Sequence, residues 1–194
     1  MAKRVFFSFH YQDVIDFRAN VVRNHWMTKP NRENAGFFDA SVWEKAKKES
    51  DIALKKLING AISGTSVTAV LIGSNTYQRQ WVHYEIFKTL AKGNKLISVH
   101  INGIKDKSQN TKLNGPNPFD NLGYYVEKDG KKISPIYKKN GKWTYFSLYP
   151  GYSMSPAWKN YREKCVSLTQ LGYKTYDWVK NDGYNNFSTW VNGK

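Results

Sequence analysis

Two short runs of apolar and β-branched residues most restrict the fold of this chain. They are "TSVTAVLIG" at residues 65–73 and "KLISVHI" at residues 95–101. A strand that is apolar along its whole length, rather than at alternate positions, is typical of a parallel sheet covered on both faces. Parallel strands need crossover connections, which are usually helices. The sequence therefore predicts an α/β fold with a parallel sheet between layers of helices.

The same alternation of strand-like and helix-like segments continues through the first hundred residues. The predicted strands lie near residues 4–9, 36–39, 66–72 and 95–101. One helix is predicted to start at Asp13, from the 3.6-residue spacing of its apolar side chains, and another to end at Gly64. A third helix is predicted over residues 77–92, with Asn75 as its N-cap. This order indicates a doubly wound sheet.

From residue 103 onward the sequence changes character. Residues 103–194 are rich in Gly, Asn, Lys and Tyr, and they hold 17 aromatic side chains. Turns are predicted at "KDGKK" and "KKNGKW", and a helix is predicted at "SPAWKNYREKCVSLTQLG". Because so much aromatic surface needs burial, we expect an aromatic-rich elaboration that packs on a core of residues 1–102 in a single domain.

The sequence carries no signal for a membrane or for export. The longest apolar run ends at Gly73 and is far shorter than the roughly 18 residues that a membrane span needs. The apolar part of the beginning is interrupted at residues 10–13, too early for a secretory segment. The single cysteine, Cys165, cannot form an internal disulfide and is expected to be a small buried side chain. We therefore expect a cytoplasmic protein.

The net charge of +15 indicates an anionic partner. Residues 1–100 carry 15 Lys and Arg against 8 Asp and Glu, and residues 101–194 carry 15 against 7, so there is no basic arm. An even distribution argues against nucleic acid and suits a phosphate-bearing small molecule in a basic cleft. A nucleic-acid binder stays open as a hypothesis, with these side chains as its surface: Lys138, Lys139, Trp143 and Tyr145.

Common phosphate-binding and metal-binding motifs are missing from the sequence. Neither GxxxxGK[ST] nor GxGxxG occurs, which argues against ordinary nucleoside-triphosphate and Rossmann chemistry. The four histidines lack metal-ligand spacing, so no metal site is predicted. Open α/β sheets bind ligands at the carboxyl ends of their strands, which directs attention to "SFHYQD" and "GSNT".

The stretch "WVHYEIF", residues 81–87, puts one carboxylate inside an apolar helical turn. At 100° per residue, the face that packs on the sheet consists of Val82, Ile86, Phe87 and Leu90. Trp81 and Glu85 lie together outside that face. One interpretation is a surface pair of Glu85 with Lys88. The other is a carboxylate at the rim of the ligand crevice, suited to stabilise a developing positive charge.

Two motifs resemble those of Toll/interleukin-1 receptor (TIR) domains. "VFFSFHYQD" is similar to the first TIR box, which reads VFxSFxxxD in plant members, and "SNTYQRQWVHYEI" resembles SxxY followed by WxxxEL. The matched residues are Val5, Phe6, Ser8, Phe9, Asp13, Ser74, Tyr77, Trp81 and Glu85. The resemblance covers about residues 3–102, and it is closer to the TIR-like B proteins of bacterial Thoeris antiphage systems, including "YDW" at 176–178. It implies a TIR-like, flavodoxin-like doubly wound parallel sheet with helices on both faces.

The resemblance also implies an enzymatic activity. In enzymatic TIR domains the glutamate of WxxxE cleaves NAD between nicotinamide and ribose, and this role falls on Glu85. Nicotinamide leaves as a neutral molecule, so one anion beside the ribose is sufficient, and NAD is a substrate with no further cofactor expected. In the Thoeris family a cyclic ADP-ribose isomer is implied, which activates a partner effector protein. The resemblance also implies that the chain can associate with copies of itself through the TIR core.

Other candidate site residues are expected to contact the substrate. They are Phe6, Ser8 and His10 from strand alternation and the crevice rule, Ser74, Trp81 and Tyr84 from the second motif, and Arg32 and Asp39 from the intervening loop. Aromatic walls, with Trp43 as a further candidate, would exclude water during ring closure. Two features depart from the family: Arg4 stands where an acidic residue is common, and "NRENAGFFDASVWEK" replaces RDxxPG. A non-catalytic TIR adaptor that acts by protein–protein interaction is the alternative function.

Overall fold

The computed structural model describes residues 3–28, 46, 48–153 and 156–193. They fall into two compact units. Unit 1 comprises Met1–Gly115 and Thr175–Lys194, and unit 2 comprises Pro116–Lys174. The predicted grouping of residues 103–194 as one elaboration on a core of residues 1–102 stays a prediction.

The described helices and strands are short. The helices are α1 (Tyr11–Ile15), α2 (Arg18–Met27), α3 (Asp51–Ser63), α4 (Gln80–Ala91), α5 (Pro118–Asn121) and α6 (Gly183–Asn192). The strands are β1 (Val5–Ser8), β2 (Val67–Ile72), β3 (Lys95–His100), β4 (Leu122–Val126), β5 (Lys132–Lys139), β6 (Lys142–Tyr145), β7 (Tyr152–Ser153), β8 (Cys165–Ser167) and β9 (Thr175–Asp177). Among these helices, none combines the length and apolar character of a membrane-spanning segment.

Unit 1 is built on a parallel sheet, as the sequence predicted. In its described part the strand order is β1-β2-β3-β9, and all neighbouring strands are parallel. The register pairs Ser8 with Val70 and Ile72 with His100. Every residue of β2 is buried, which agrees with its continuous apolar sequence. The strand predicted at residues 36–39 lies outside the described residues.

Helices cover both faces of this sheet. Odd-numbered residues of β1, β2 and β3 join a core with α2 and α6, to which Trp26, Phe187 and Trp190 contribute. On the opposite face α4 packs against β2, β3 and α3. Successive strand residues point to opposite faces, so Phe6, Ser8, Thr68 and Val70 lie on the α4 side. The α/β class and the TIR-like arrangement are confirmed.

The helix predicted from Asp13 is broken. Phe17, in a left-handed conformation with φ of 67°, separates α1 from α2. The next residue, Arg18, is fully buried, and its guanidinium binds Asp16, Asp106 and backbone carbonyls of the loop at 104–110. This long-range clamp holds the break in place, and the spacing of apolar residues contains no sign of it.

The start of α4 also differs from the prediction. Thr76–Gln78 form a separate 3-10 turn, and α4 begins at Gln80 after an extended Arg79. Asn75 precedes the 3-10 turn and makes no side-chain capping bond, so the predicted Asn75 cap is wrong. The side-chain oxygen that serves this region is Thr76 Oγ1, which accepts from the backbone N–H of Gly73 at 2.9 Å.

Unit 2 contains an antiparallel sheet with the order β6-β5-β4-β8, and β7 also pairs with β5. The turn predicted at "KKNGKW" is confirmed, since Asn140 and Gly141 have φ of 50° and 77°, as a two-residue hairpin requires. The helix predicted at "SPAWKNYREKCVSLTQLG" is wrong. That segment holds a 3-10 turn and β8, because pairing with β4 buries Val166. Cys165 is exposed rather than buried.

Candidate active site

Glu85 lies in the first half of α4 and turns its carboxyl toward the end of β1. Ser8 Oγ donates a hydrogen bond to Glu85 Oε2 at 2.5 Å. The exposed fraction is 4% for Glu85 and 1% for Ser8. The interpretation of Glu85 as an exposed surface residue is therefore wrong, and the expected proximity of Glu85 to Ser8 is observed. The catalytic role of Glu85 stays a prediction.

The surroundings of Glu85 favour the uncharged carboxylic acid. Burial raises the pKa of Glu85 to about 8, and the Ser8 hydrogen bond opposes that rise only in part. In the described part of the chain the carboxyl forms no ion pair with a basic side chain. A buried carboxyl of this kind becomes an anion most readily when a positive charge arrives beside it.

Two buried threonines, Thr68 and Thr89, connect α4 to the sheet next to Glu85. Thr89 Oγ1 donates to the backbone oxygen of Glu85 at 2.7 Å, and Thr89 Oγ1 lies 2.8 Å from Thr68 Oγ1 on β2. Thr68 precedes Val70, the partner of Ser8, by two residues and lies on the same face. This contact pins α4 to β2 beside the Ser8–Glu85 pair. Sequence reasoning missed it, although Thr68 is a polar residue within an apolar run.

Aromatic side chains lie along the same helix and strand. The rings of Trp81 and Tyr84 meet edge to face with centroids 5.8 Å apart. Tyr84 is buried, and its hydroxyl donates to Asn59 of α3 at 3.1 Å. Phe6 is buried on the same face of β1 as Ser8. The structure thus places three predicted aromatic walls around α4 and the end of β1.

The carboxyl end of β1 and β2 carries a second buried carboxyl, which sequence reasoning did not single out as functional. Asp13 is 5% exposed and accepts a hydrogen bond from Thr76 Oγ1 at 3.5 Å. Burial, and then the nearby Asp16 carboxylate, raise the pKa of Asp13 to about 6. His10 is half-buried beside this group, and burial together with the charge of Arg79 lowers its pKa.

Ser74 is held by a residue that the sequence analysis also missed. Asn102 follows β3 and is fully buried, and its Nδ2 donates to Ser74 Oγ at 3.0 Å and to the Leu113 carbonyl at 2.5 Å. Among the described contacts no hydrogen bond joins Glu85 to His10 or Ser74. The signal for Asn102 was a polar side chain directly after a buried strand.

The predicted loop residues Arg32, Asp39 and Trp43 lie outside the described residues. Within the part that is described, no group of three or more His, Cys, Asp or Glu side chains could hold a metal ion. A surface cleft of about 300 Å³ is lined by Lys112, Asn114, Asp177 and Lys180 among others. None of the candidate site residues lines it, so we place the site at Glu85 on its chemistry.

A parallel sheet with a buried carboxyl on the helix after β2, beside the end of β1, defines the class of TIR-like α/β proteins. Residues 6–106 match the family model described as "Thoeris protein ThsB, TIR-like domain". The chain is also 60% identical over 193 residues to "Putative cyclic ADP-D-ribose synthase ThsB1" of Bacillus cereus (strain MSX-D12). That alignment covers 99% of this chain and 100% of the relative. The chain belongs to the ThsB family of TIR-like Thoeris proteins, which confirms the family resemblance.

Proposed function

We propose that this chain is a cyclic ADP-ribose synthase of an antiviral Thoeris system, with NAD as its substrate and Glu85 as its catalytic residue. The observation that carries the proposal is the Glu85 carboxyl, 4% exposed and 2.5 Å from Ser8 Oγ at the carboxyl end of β1. The name of the Bacillus cereus relative supports the same activity.

The first step breaks the bond between ribose C1′ and the nicotinamide nitrogen. The bonding electron pair leaves with nicotinamide, which departs neutral, and positive charge develops on the ribose. The Glu85 carboxylate stabilises that charge. Phe6, on the same face of β1 as Ser8, and Tyr84, next to Glu85 in α4, are both buried. A buried surrounding of low polarity makes the attraction stronger than it would be in water.

The second step closes a ring within the same molecule. A hydroxyl of the ADP-ribose part attacks C1′ and loses its proton, so that the products are nicotinamide, a cyclic ADP-ribose isomer and one proton. Water competes for C1′, so aromatic walls such as Trp81 and Tyr84 favour the cyclic product. The reaction requires neither a redox partner nor a further cofactor.

The proposal extends to the partners of the enzyme. The cyclic nucleotide is the signal, and an effector protein of the same defence system responds to it. The predicted cytoplasmic location and self-association through the TIR core belong to this proposal.

The test compares the wild-type chain with Glu85→Gln in the presence of NAD, with nicotinamide and ribosylated products separated by chromatography. Glutamine keeps the size of the side chain and removes its charge. We expect product formation to fall at least about a hundredfold, because losing one preorganised electrostatic contact typically costs about 3 kcal/mol. If the purified chain forms no product from NAD, the comparison is repeated in infected cells that carry the whole defence system.

Glu127→Gln is the matched control, since the Glu127 carboxyl also accepts a hydrogen bond from a serine, Ser134, at 3.1 Å. It lies in unit 2, and we expect it to leave product formation unchanged. Equal amounts of nicotinamide and cyclic product from Glu85→Gln and wild type would contradict the catalytic role. They would favour the adaptor hypothesis instead.

A further inference from the structure

Ser8 is too deeply buried to serve simply as a surface contact for a ligand. Its exposed fraction is 1%, and it is the last residue of β1, in register with Val70 of β2. The hydroxyl faces α4, where it donates to Glu85 Oε2 at 2.5 Å. The hydroxyl hydrogen of Ser8 is therefore already engaged in a hydrogen bond within the protein.

The Glu85 carboxyl has few partners for a buried group. A carboxylate offers about four lone-pair positions to hydrogen-bond donors. In the described part of the chain Ser8 is the donor to Oε2, and Oε1 accepts no hydrogen bond. Among the described residues, Ser8 is thus the side chain that orients the carboxyl, and no described group donates to the other oxygen.

We propose that Ser8 is a positioning residue for NAD cleavage, whose hydroxyl holds Glu85 Oε2 and leaves Oε1 for the ribose. The inference rests on the proposed function of Glu85. It differs from a substrate-contact role for Ser8, because Ser8 acts here through Glu85.

The balance between burial and hydrogen bonding supports this role. Burial favours the neutral acid, whereas a hydrogen bond donated to a carboxylate favours the charged form. For Glu85 the burial effect is larger and raises the pKa, and the Ser8 hydrogen bond lowers it. Removing the hydroxyl would leave burial without its opposing contact.

Other charged groups near α4 do not take the place of Ser8. The helix packs against α3, β2, β3 and the Thr76–Gln78 turn. The titratable groups on those elements are Asp51, Lys55 and Lys56 of α3, Lys95 and His100 of β3, and Tyr77 of the turn. On α4 itself they are His83, Tyr84 and Lys88. None of these side chains hydrogen-bonds to the Glu85 carboxyl or shifts its pKa, so none of them could replace the hydroxyl of Ser8.

The direct test follows the Glu85 carboxyl by carbon-13 NMR in the full chain labelled at glutamate. The chain has six glutamates, and the signal that disappears in Glu85→Gln identifies position 85. We expect Ser8→Ala to move the titration midpoint of Glu85 upward by roughly one to two pH units, since a hydrogen bond to a charged group stabilises it to that extent. Ser8→Cys keeps the size and donates only weakly, so it should move the midpoint in the same direction.

Ser98→Ala is the matched control. Ser98 is also a fully buried serine of this sheet, but its hydroxyl donates to Thr175 Oγ1 at 2.8 Å. We expect Ser98→Ala to leave the Glu85 midpoint where it is in the wild type. If the titration midpoint of Glu85 is the same in Ser8→Ala, Ser8→Cys and the wild type, the positioning role is overturned.

The enzymatic readout separates positioning from substrate contact. We expect the acid limb of the kcat profile of Ser8→Ala to move to higher pH with KM nearly unchanged, and Ser98→Ala to follow the wild type. A raised KM with an unmoved acid limb would overturn the proposal in favour of substrate contact. If Glu85→Gln keeps full activity, the proposed function fails and the positioning role with it. If Glu85→Gln is inactive, but neither Ser8→Ala nor Ser8→Cys changes the titration midpoint of Glu85, the positioning role alone fails.

Discussion

Gly73 and Asp13 approach so closely that a Cβ at position 73 would lie 1.9 Å from Asp13 Oδ1. Gly73 follows the last residue of β2, and Asp13 belongs to α1. Thr76 joins the two, because its hydroxyl accepts from the Gly73 N–H and donates to Asp13. The carboxyl end of β2 thus has room for a glycine only, and this contact ties α1 to the sheet beside the candidate site.

Gly73→Ala should destabilise the protein. The added methyl group must displace the buried Asp13 carboxyl, and overpacking of this kind typically lowers the free energy of unfolding by about 1–3 kcal/mol. Gly60→Ala is the control, because nothing lies within 4 Å of a Cβ at that helical position. It should raise the free energy of unfolding by about 0.5–1 kcal/mol. Urea unfolding followed by circular dichroism measures both, and a Gly73→Ala variant as stable as wild type would refute the steric conflict.

Glu85→Gln should change how stability depends on pH. The pKa of Glu85 rises from its ordinary 4.5 to about 8 on folding, so between these values the folded state binds more protons than the unfolded state. The contribution of Glu85 to stability is then fully present below about pH 4.5 and is lost as pH rises toward 8, by up to about 1.4 kcal/mol per unit. The variant has no such group, so its free energy of unfolding should be flat between pH 6.5 and 8 where that of wild type declines.

The other buried carboxyl, Asp13, provides an internal check on this experiment. Its pKa rises from 3.8 to about 6, so its contribution has the same sign but is confined to lower pH. Burial lowers the pKa of His83 to about 4, and the His83 contribution has the opposite sign over nearly the same range, so it offsets that of Asp13. Glu85→Gln should therefore lose the decline between pH 6.5 and 8, which lies above the Asp13 range. Parallel curves for wild type and variant from pH 6.5 to 8 would contradict the buried state of Glu85.

Asn102→Ala should loosen the segment around Leu113. The substitution removes the donor that serves both Ser74 Oγ and the Leu113 carbonyl, at a typical cost of about 0.5–1.5 kcal/mol for each hydrogen bond lost. Hydrogen exchange at residues 111–115 should become faster. Asn114→Ala is the control, since its side chain is exposed and bonds to Asp177, and it should stay within roughly 0.5 kcal/mol of wild type. Unchanged exchange in Asn102→Ala would show that the segment is held by other contacts.

Arg18→Met should be among the more damaging substitutions in unit 1. The methionine keeps an apolar stem but loses the bonds of a fully buried guanidinium, and removing one partner of a buried ion pair costs roughly 3 kcal/mol. Lys112→Met tests the same acceptor from the surface, because Lys112 also pairs with Asp16 but is 41% exposed. Its cost should be below about 1 kcal/mol. Equal thermal stability of the two variants would be inconsistent with the buried clamp.

The sequence predicted the strands of unit 1 best where burial is continuous. β2 and β3 are buried along almost their whole length, so most of their residues are apolar and indicate a buried strand. β9 has only three half-buried residues and could not be recognised, because its place in the sheet depends on pairing with β3. The helix predicted across Val166 failed for the same reason, since pairing with β4 overrides local preference.

The sequence predicted which residues form the candidate site, but it did not predict their burial or their contacts. The motif singled out Glu85, and the crevice rule pointed to Ser8. Their 2.5 Å contact spans 77 residues of sequence and depends on the register of β1 against β2. Asp13 and Asn102 escaped functional notice because a polar residue next to a buried strand has no periodic signature. Their burial becomes apparent only when the strand ends are assembled.

The place of β9 and α6 in unit 1 also sets an order of events during translation. The ribosome makes β1, β2 and β3 first, then all of unit 2, and only afterwards the residues that complete the core with Trp178, Phe187 and Trp190. Domains generally fold as they emerge, so unit 2 can fold while unit 1 still waits for its last strand. A nascent chain therefore carries Glu85 on an unfinished sheet until residues 175–193 have left the exit tunnel.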